Sequence, residues 1–201
     1  MIDKAVQDFL IVWATIDPIG TMALFAGLTA KLSPAARRVT AYKTVAYAGA
    51  VLLGAIVIGQ VLLGAMGISL LSFQVAGGII LFLFGLQMIF SSNARNLEVD
   101  DNHDMAVFPL AIPATATPGA ILAVILLTDN HVHPIDEQVV TPLVMISVLV
   151  ATLVLLLLSG RIIQLIGTGG ASVLTRIMGI VLAALSVELV MEALGVTQLT
   201  G

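Results

Sequence analysis

Within one strongly apolar stretch the sequence reads Ala14-Thr15-Ile16-Asp17-Pro18-Ile19-Gly20-Thr21. A carboxylate there stands immediately before a proline, roughly in the middle of a hydrophobic run. At the centre of a membrane helix a carboxylate costs on the order of 2.5 to 3.5 kcal/mol, so it needs a partner, a proton or a cation. Pro18 removes a backbone donor and clashes with the preceding turn, and Gly20 admits unusual backbone angles. Together they free carbonyls near Thr15 and Ile16, and free carbonyls beside a carboxylate suit a cation or an amine. About one hundred positions later, Pro113-Ala114-Thr115-Ala116-Thr117-Pro118-Gly119 repeats the hydroxyls and the proline without the acid. That second half-site is polar and uncharged.

The echo extends further. Ala14, Thr15, Pro18 and Pro34 recur as Ala114, Thr115, Pro118 and Pro134, and Gly78 and Gln87 recur as Gly179 and Glu188 after one extra residue. A duplication with a broken helix at the same place in each half points to a transporter's binding site. The substrate-binding candidates are therefore Thr15, Asp17, Pro18, Gly20 and Thr21 from the first copy and Thr115, Thr117, Pro118 and Gly119 from the second. Threonines supply hydrogen bonds, and the two glycines let backbone approach a small solute. Asp17, Glu188 and Gln87 are the candidates for a coupling ion, Na+ or H+. Glu192 shares a helix face with Glu188 but lies near the outer end, where snorkelling is expected.

Other polar groups carry less. His131 and His133, near Asp129 and Asp136, offer only two nitrogen ligands, so a polar loop and no metal is the expectation. The absence of cysteine excludes disulfides, thiolate metal sites and thiol catalysis. No cofactor is expected.

These residues need elements to hold them, and the composition says which. Of 201 residues, 59% are hydrophobic and 10% charged, with a mean hydropathy of +1.13; soluble domains carry about a quarter charged residues. Apolar stretches long enough to cross about 30 Å of hydrocarbon run over Ile2 to Ala30, Ala41 to Ala65, Leu70 to Phe90, Met105 to Leu127, Val139 to Leu158 and Val173 to Leu194. They are continuous rather than alternating and aromatic content is 5%, which argues against a transmembrane barrel. The expected fold is an all-α polytopic membrane protein with six transmembrane helices, arranged as two inverted three-helix repeats whose first helices are broken. Residues 1–92 form the first repeat, 93–104 a polar linker with Glu98, Asp100, Asp101 and Asp104, and 105–201 the second repeat.

Orientation follows from charge. Segments after the first, third and fifth spans, with the ends of the helices flanking them, hold Lys31, Arg37, Arg38, Lys43, Arg95, Arg161 and Arg176, against Lys4 on the other side. The basic side is expected to be cytoplasmic, which places both termini outside the cell's inner membrane. The start, Met1-Ile2-Asp3-Lys4, lacks the positive region of a cleaved signal, so the first span is expected to be retained. An odd number of helices per repeat inverts the second copy. Ser33-Pro34 reads as a helix start. Ala46, Ala50 and Gly54 make a small-residue stripe suited to close helix contact, and Gly78, Gly85, Gly179 and Ser186 read as packing positions between the third and sixth spans. Arg176 is expected to snorkel or to pair with an acid.

The chain resembles the MarC family of six-span bacterial and archaeal membrane proteins, whose members include small neutral amino acid transporters. The likeness rests on Asp17-Pro18-Ile19-Gly20, on Gly67-Ile68-Ser69 with Gly77-Gly78, on Phe108-Pro109-Leu110-Ala111-Ile112-Pro113, on Pro118-Gly119-Ala120-Ile121, and on Gly167 to Gly170 before Arg176-Ile177-Met178-Gly179. It departs from that pattern at Thr21, where an asparagine often stands, and at Thr117, where a glycine does. The resemblance implies a secondary active transporter of small neutral amino acids of the glycine or alanine type.

No Walker-type phosphate loop is present to support ATP hydrolysis. An intramembrane hydrolase would need a nucleophile with a base or paired carboxylates, which the spans do not offer, so no enzyme is expected. An exporter of small solutes or toxic compounds, and a passive channel, stay open as alternatives. The expected partners are the amino acid and the lipid bilayer, not nucleic acid, and the sequence sets no oligomeric state.

Overall fold

The computed structural model describes residues 2–90, 104–129 and 134–196, all of whose regular elements are helices. The acids Glu98, Asp100 and Asp101 and the His131 and His133 pair lie outside the described residues. The elements are α1 (Ile2–Ile16), α2 (Pro18–Leu28), α3 (Pro34–Ala65), α4 (Leu70–Phe90), a π-helical segment π1 (Ala106–Thr115), α5 (Pro118–Leu127), α6 (Ile135–Gln138) and α7 (Val140–Ala193).

Three of these helices start by one device. Pro18, Pro34 and Pro118 occupy the first turn, and the residue before each, Asp17, Ser33 or Thr117, accepts a hydrogen bond from the amide three positions on, Gly20, Ala36 or Ala120. Proline lacks the donor that would be orphaned at that position, and the cap satisfies another. Ser33 caps α3 as the sequence predicts, so the helix that carries the second apolar run begins at Pro34 and Arg37, Arg38 and Lys43 ride on it. α3 ends where Gly67 turns to φ +66° and the amides of Gly67 and Ile68 donate to the carbonyls of Gly64 and Leu63. α7 is broken at Gly167, whose φ of 68° and ψ of 170° only glycine adopts readily. It therefore consists of two arms, 140–166 and 168–193.

Among the described residues, four helices are long and apolar enough to cross a membrane, over Asp3–Leu28, Pro34–Gly59, Leu71–Phe90 and Val140–Leu165, and π1 with α5, bent by 55°, makes a fifth if taken as one span. The sixth expected run forms the arm 168–193 and is not among these. Arg176 is exposed at the start of that arm.

The broken helices occupy the centre. Half of the first span, 50%, is buried within the chain, against 22% to 33% of the other three. On one side α1 and α5 pack with α3 and the first arm of α7 through Val12, Ile16, Ala48, Leu52, Val124 and Met145. On the other they meet α4 and the second arm through Ala14, Leu81, Leu122 and Leu182. Phe25 and Met22 of α2 join Leu110 and Leu156 in a third cluster.

α4 and the arm 168–193 lie antiparallel and touch at glycine. A side chain at Gly85 would strike the Gly179 carbonyl at 2.8 Å, one at Gly179 would strike the Gly85 carbonyl at 2.8 Å, and Gly78 abuts Val190 and the Ser186 carbonyl. Gly179 is the counterpart of Gly78 in the duplication and Ser186 that of Gly85. Each position thus meets the sequence counterpart of the other. The stripe expected on α3 does not pack inside the chain: Ala46 and Ala50 are exposed and nothing lies near Gly54, because Ala41, Thr44, Ala48 and Leu52 form the buried face.

Polar ties close both ends of the bundle. At the end where α1 begins, Lys4 Nζ lies 3.1 Å from Asp8 Oδ1, and Thr141 Oγ1 donates to Asp8 Oδ2 at 2.6 Å. At the opposite end Arg37 donates to Ser159 Oγ at 2.7 Å with its guanidinium 5.5 Å above the Phe25 ring. There too Lys43 pairs with Asp104 at 2.8 Å, and this ammonium, with the Ala106 amide, holds the Asp104 carboxyl below its ordinary value.

Candidate functional site

α1 lies beside α5 and α2 beside π1, so the two broken helices run antiparallel with their breaks at one level. The breaks are joined by threonine. Thr117 Oγ1 donates to the Thr15 carbonyl at 2.8 Å, and Thr21 Oγ1 donates to the Ala114 carbonyl at 2.9 Å and lies 3.4 Å from that of Ile16. Carbonyls released by proline inside a bundle cannot be left bare. Here hydroxyls from the opposite copy take two of them, Thr15 and Ala114, so in this conformation the freed acceptors are spoken for by the protein itself.

Asp17 adopts the left-handed conformation, φ 51° and ψ 68°, which aspartate tolerates better than most residues. Its Oδ1 accepts from the Gly20 amide at 3.0 Å, and its other oxygen fills the space a side chain at position 20 would need. The glycine of the Asp-Pro-Ile-Gly run is thereby accounted for by the carboxylate it sits under. Thr117 does the same work in the second copy with a neutral group, accepting from the Ala120 amide at 2.8 Å. Leu81 of α4 covers Gly119.

Thr15, Asp17, Thr21, Thr115 and Thr117 are all buried, with Asp17 the most accessible at 6%. Thr15 donates to the Ile11 carbonyl at 2.8 Å, and Thr115 to the Leu110 carbonyl at 2.8 Å, the wider spacing following the π-helical turn. Alanines fill the rest of the seam: Ala14, Ala111, Ala114, Ala116 and Ala120 are buried. The structure thus brings together Thr15, Asp17, Pro18, Gly20, Thr21, Thr115, Thr117, Pro118 and Gly119. It does not bring Gln87 or Glu188 to them; both are exposed, on α4 and on the second arm of α7.

The two half-sites differ electrically. The positive end of the α2 dipole already meets the Asp17 carboxylate, whereas that of α5 meets only a hydroxyl. A positive group suits the first and a negative group the second.

Sequence reasoning missed the polar ties. Asp8 is 1% exposed, and Lys4, counted as an outer basic residue, is bonded to Asp8 and to the Leu127 carbonyl. The signal was present in the Lys-to-Asp spacing of four inside an apolar helix. Ser159 as the partner of Arg37 carried no signal, since α3 and α7 meet only in the fold.

An apolar helical bundle with membrane-length helices, two of them interrupted where they cross at a buried polar seam, has the architecture of an integral membrane protein. The chain belongs to the MarC family: the model of the MarC family integral membrane protein matches residues 2–197. It is 34% identical to a UPF0056 membrane protein of Archaeoglobus fulgidus over 92% of this chain and 90% of that one. It is 30% identical to the UPF0056 inner membrane protein MarC of Citrobacter koseri over 88% of this chain and 87% of that one. A UPF0056 membrane protein of Pyrococcus abyssi is 29% identical over 90% of each chain. No solved structure matches the chain.

Proposed function

We propose that this protein is a secondary active transporter of small neutral amino acids of the glycine or alanine type, coupled to Na+ or H+, with its site between the breaks. The observation that carries this reading is the crossing of two capped half-helix starts of unlike charge. Asp17 would hold the substrate ammonium, and the start of α5, with the Gly119 amide and the Thr117 hydroxyl, would hold its carboxylate. The hydroxyls that now bond Thr15 and Ala114 are the groups a solute would meet as the halves separate. Buried alanines on all sides favour a substrate with little or no side chain.

The same reading takes the arm 168–193 as a sixth span and the whole as two inverted three-helix repeats. The matched caps at Asp17 and Thr117 and the reciprocal contacts of Gly78 and Gly85 support it. The basic residues put the Lys4 end outside and the Arg37 end in the cytoplasm.

Counterflow of labelled glycine and alanine in proteoliposomes, under imposed sodium and proton gradients, tests the proposal. Uptake above that of empty vesicles, accelerated by one cation gradient, is expected. Equal flux in loaded and empty vesicles for both amino acids would remove it.

A further inference from the structure

Arg37 stands in the first turn of α3, and its guanidinium is held from two sides. It donates to Ser159 Oγ at 2.7 Å and lies 5.5 Å above the ring of Phe25, which is itself fully buried. Gly160 leaves the room for it, since a Cβ there would come within 3.1 Å of Arg37 Nη1. Three elements, α2, α3 and the first arm of α7, therefore meet around one half-buried cation. A guanidinium carries five N–H donors. Among the described residues Ser159 is the hydrogen-bond acceptor it has, and no carboxylate pairs with it. The Phe25 ring meets the charge but offers those donors no oxygen.

The surroundings repeat the sign. Lys31 in the turn before α3, Arg38 beside Arg37, and Arg161 two residues past Ser159 are exposed and enter no ion pair among the described residues. Asp104, an acid at this end, is already taken by Lys43 at 2.8 Å. Ser159 directly follows the apolar run that closes at Leu158, so this cation sits at the edge of the hydrocarbon. Leu157 and Leu158, four and three residues before Arg161 and so on its helix face, are each 40% exposed just beneath it. A cation above open apolar surface matches a ligand that carries its phosphate above acyl chains. A free anion would gain nothing from the leucines.

We propose that Arg37 is the core of a binding site for the phosphate of an anionic phospholipid, where α2, α3 and the first arm of α7 meet. The planar guanidinium takes two phosphate oxygens through parallel N–H bonds, with Ser159 and Phe25 fixing its plane. Lys31 and Arg161 add attraction at longer range, and the acyl chains lie along Leu157 and Leu158. The lipid then braces three helices, one of which, α2, is half of the broken first span. The site lies apart from the seam at Asp17 and Thr117, and its occupancy does not depend on what is transported.

The test is lipid binding to the full chain in detergent at neutral pH, read by native mass spectrometry, with dioleoyl phosphatidylglycerol and dioleoyl phosphatidylcholine as probes. The two share acyl chains and differ in net charge. Phosphatidylglycerol is expected to bind the parent about tenfold more tightly, and Arg37→Gln to remove most of that preference. Arg38→Gln deletes the same charge from the same helix end without touching Ser159 or Phe25, and should cost no more than about threefold. Arg37→Lys keeps the charge but cannot make two parallel bonds, so its loss should fall between those two. Equal affinity of the parent for both lipids overturns the proposal, whether or not Arg37→Gln folds. So does a loss in Arg37→Gln or Arg37→Lys no larger than that in Arg38→Gln, which would mean diffuse attraction to a basic surface. Millimolar inorganic phosphate is expected to leave phosphatidylglycerol bound. Displacement by it would make this a site for a free anion and overturn the proposal as well.

Discussion

Asp17 caps α2 from a left-handed backbone, and asparagine is the replacement that keeps both properties while removing the charge. Asp17→Asn is expected to stay folded, with a melting temperature near that of the parent, and to lose cation-driven accumulation of amino acid. Normal coupled uptake by a well-folded Asp17→Asn would falsify the role given to this carboxylate. Asp17→Ala is a different experiment. It loses the cap, about 0.5–2 kcal/mol, and forces a side chain without local hydrogen bonding into the left-handed region, about 1–2 kcal/mol more. Its thermal midpoint should fall clearly below that of Asp17→Asn. Thr117 accepts from Ala120 and donates to Thr15. Thr117→Val breaks both bonds and, at about 1 ± 0.5 kcal/mol each, should lower stability and weaken substrate binding together, whereas Thr117→Ser should restore both. If valine is harmless to exchange and to melting, the seam does not depend on this hydroxyl.

The pairing of α4 with the arm 168–193 depends on backbone meeting backbone. A methyl at Gly85 would lie 2.8 Å from the Gly179 carbonyl and 3.0 Å from the Ala183 amide, and backbone atoms cannot swing aside as a side chain does. Gly85→Ala and Gly179→Ala are each expected to destabilise the protein by about 1–3 kcal/mol, as overpacking does. Gly54→Ala, on the open face of α3, should leave the melting temperature unchanged or slightly higher, since alanine is the better helix former. Thermal unfolding in detergent compares the three directly. Equal effects at Gly85 and Gly54 would mean that the close crossing is absent in the bilayer. The packing role of Gly78, Gly85, Gly179 and Ser186 was legible in the sequence, but the open face of the α3 stripe was not. A stripe of small residues looks the same whether it faces a neighbour, lipid or another chain.

For the molecule as a whole, orientation is the first question. Cysteines at Lys31, between α2 and α3, and at Met66, between α3 and α4, occupy exposed turns at opposite ends of α3. The excess of seven basic residues over one predicts that Lys31→Cys reacts with an impermeant reagent only from the cytoplasm and Met66→Cys only from outside. Labelling of both from one side would sink the inverted arrangement, because α3 would not cross the membrane.

The sequence by itself determined that the chain is helical and membrane-embedded, since continuous apolar runs leave the backbone no other way to satisfy its donors and acceptors in lipid. It also determined where the central helices break and how each restarts, because Asp17-Pro18 and Thr117-Pro118 encode cap and first turn within two residues. Those are local properties of neighbouring residues. What only the tertiary structure decided is which groups the breaks present to each other. Thr117 reaches Thr15 across 102 positions and Thr21 reaches Ala114 across 93. The structure also turned Gln87 and Glu188 away from that seam and drew Lys4 and Asp8 of α1 together with Thr141 of α7, 133 positions from Asp8. Periodicity says that a residue lies on a helix face. Only packing says what that face meets.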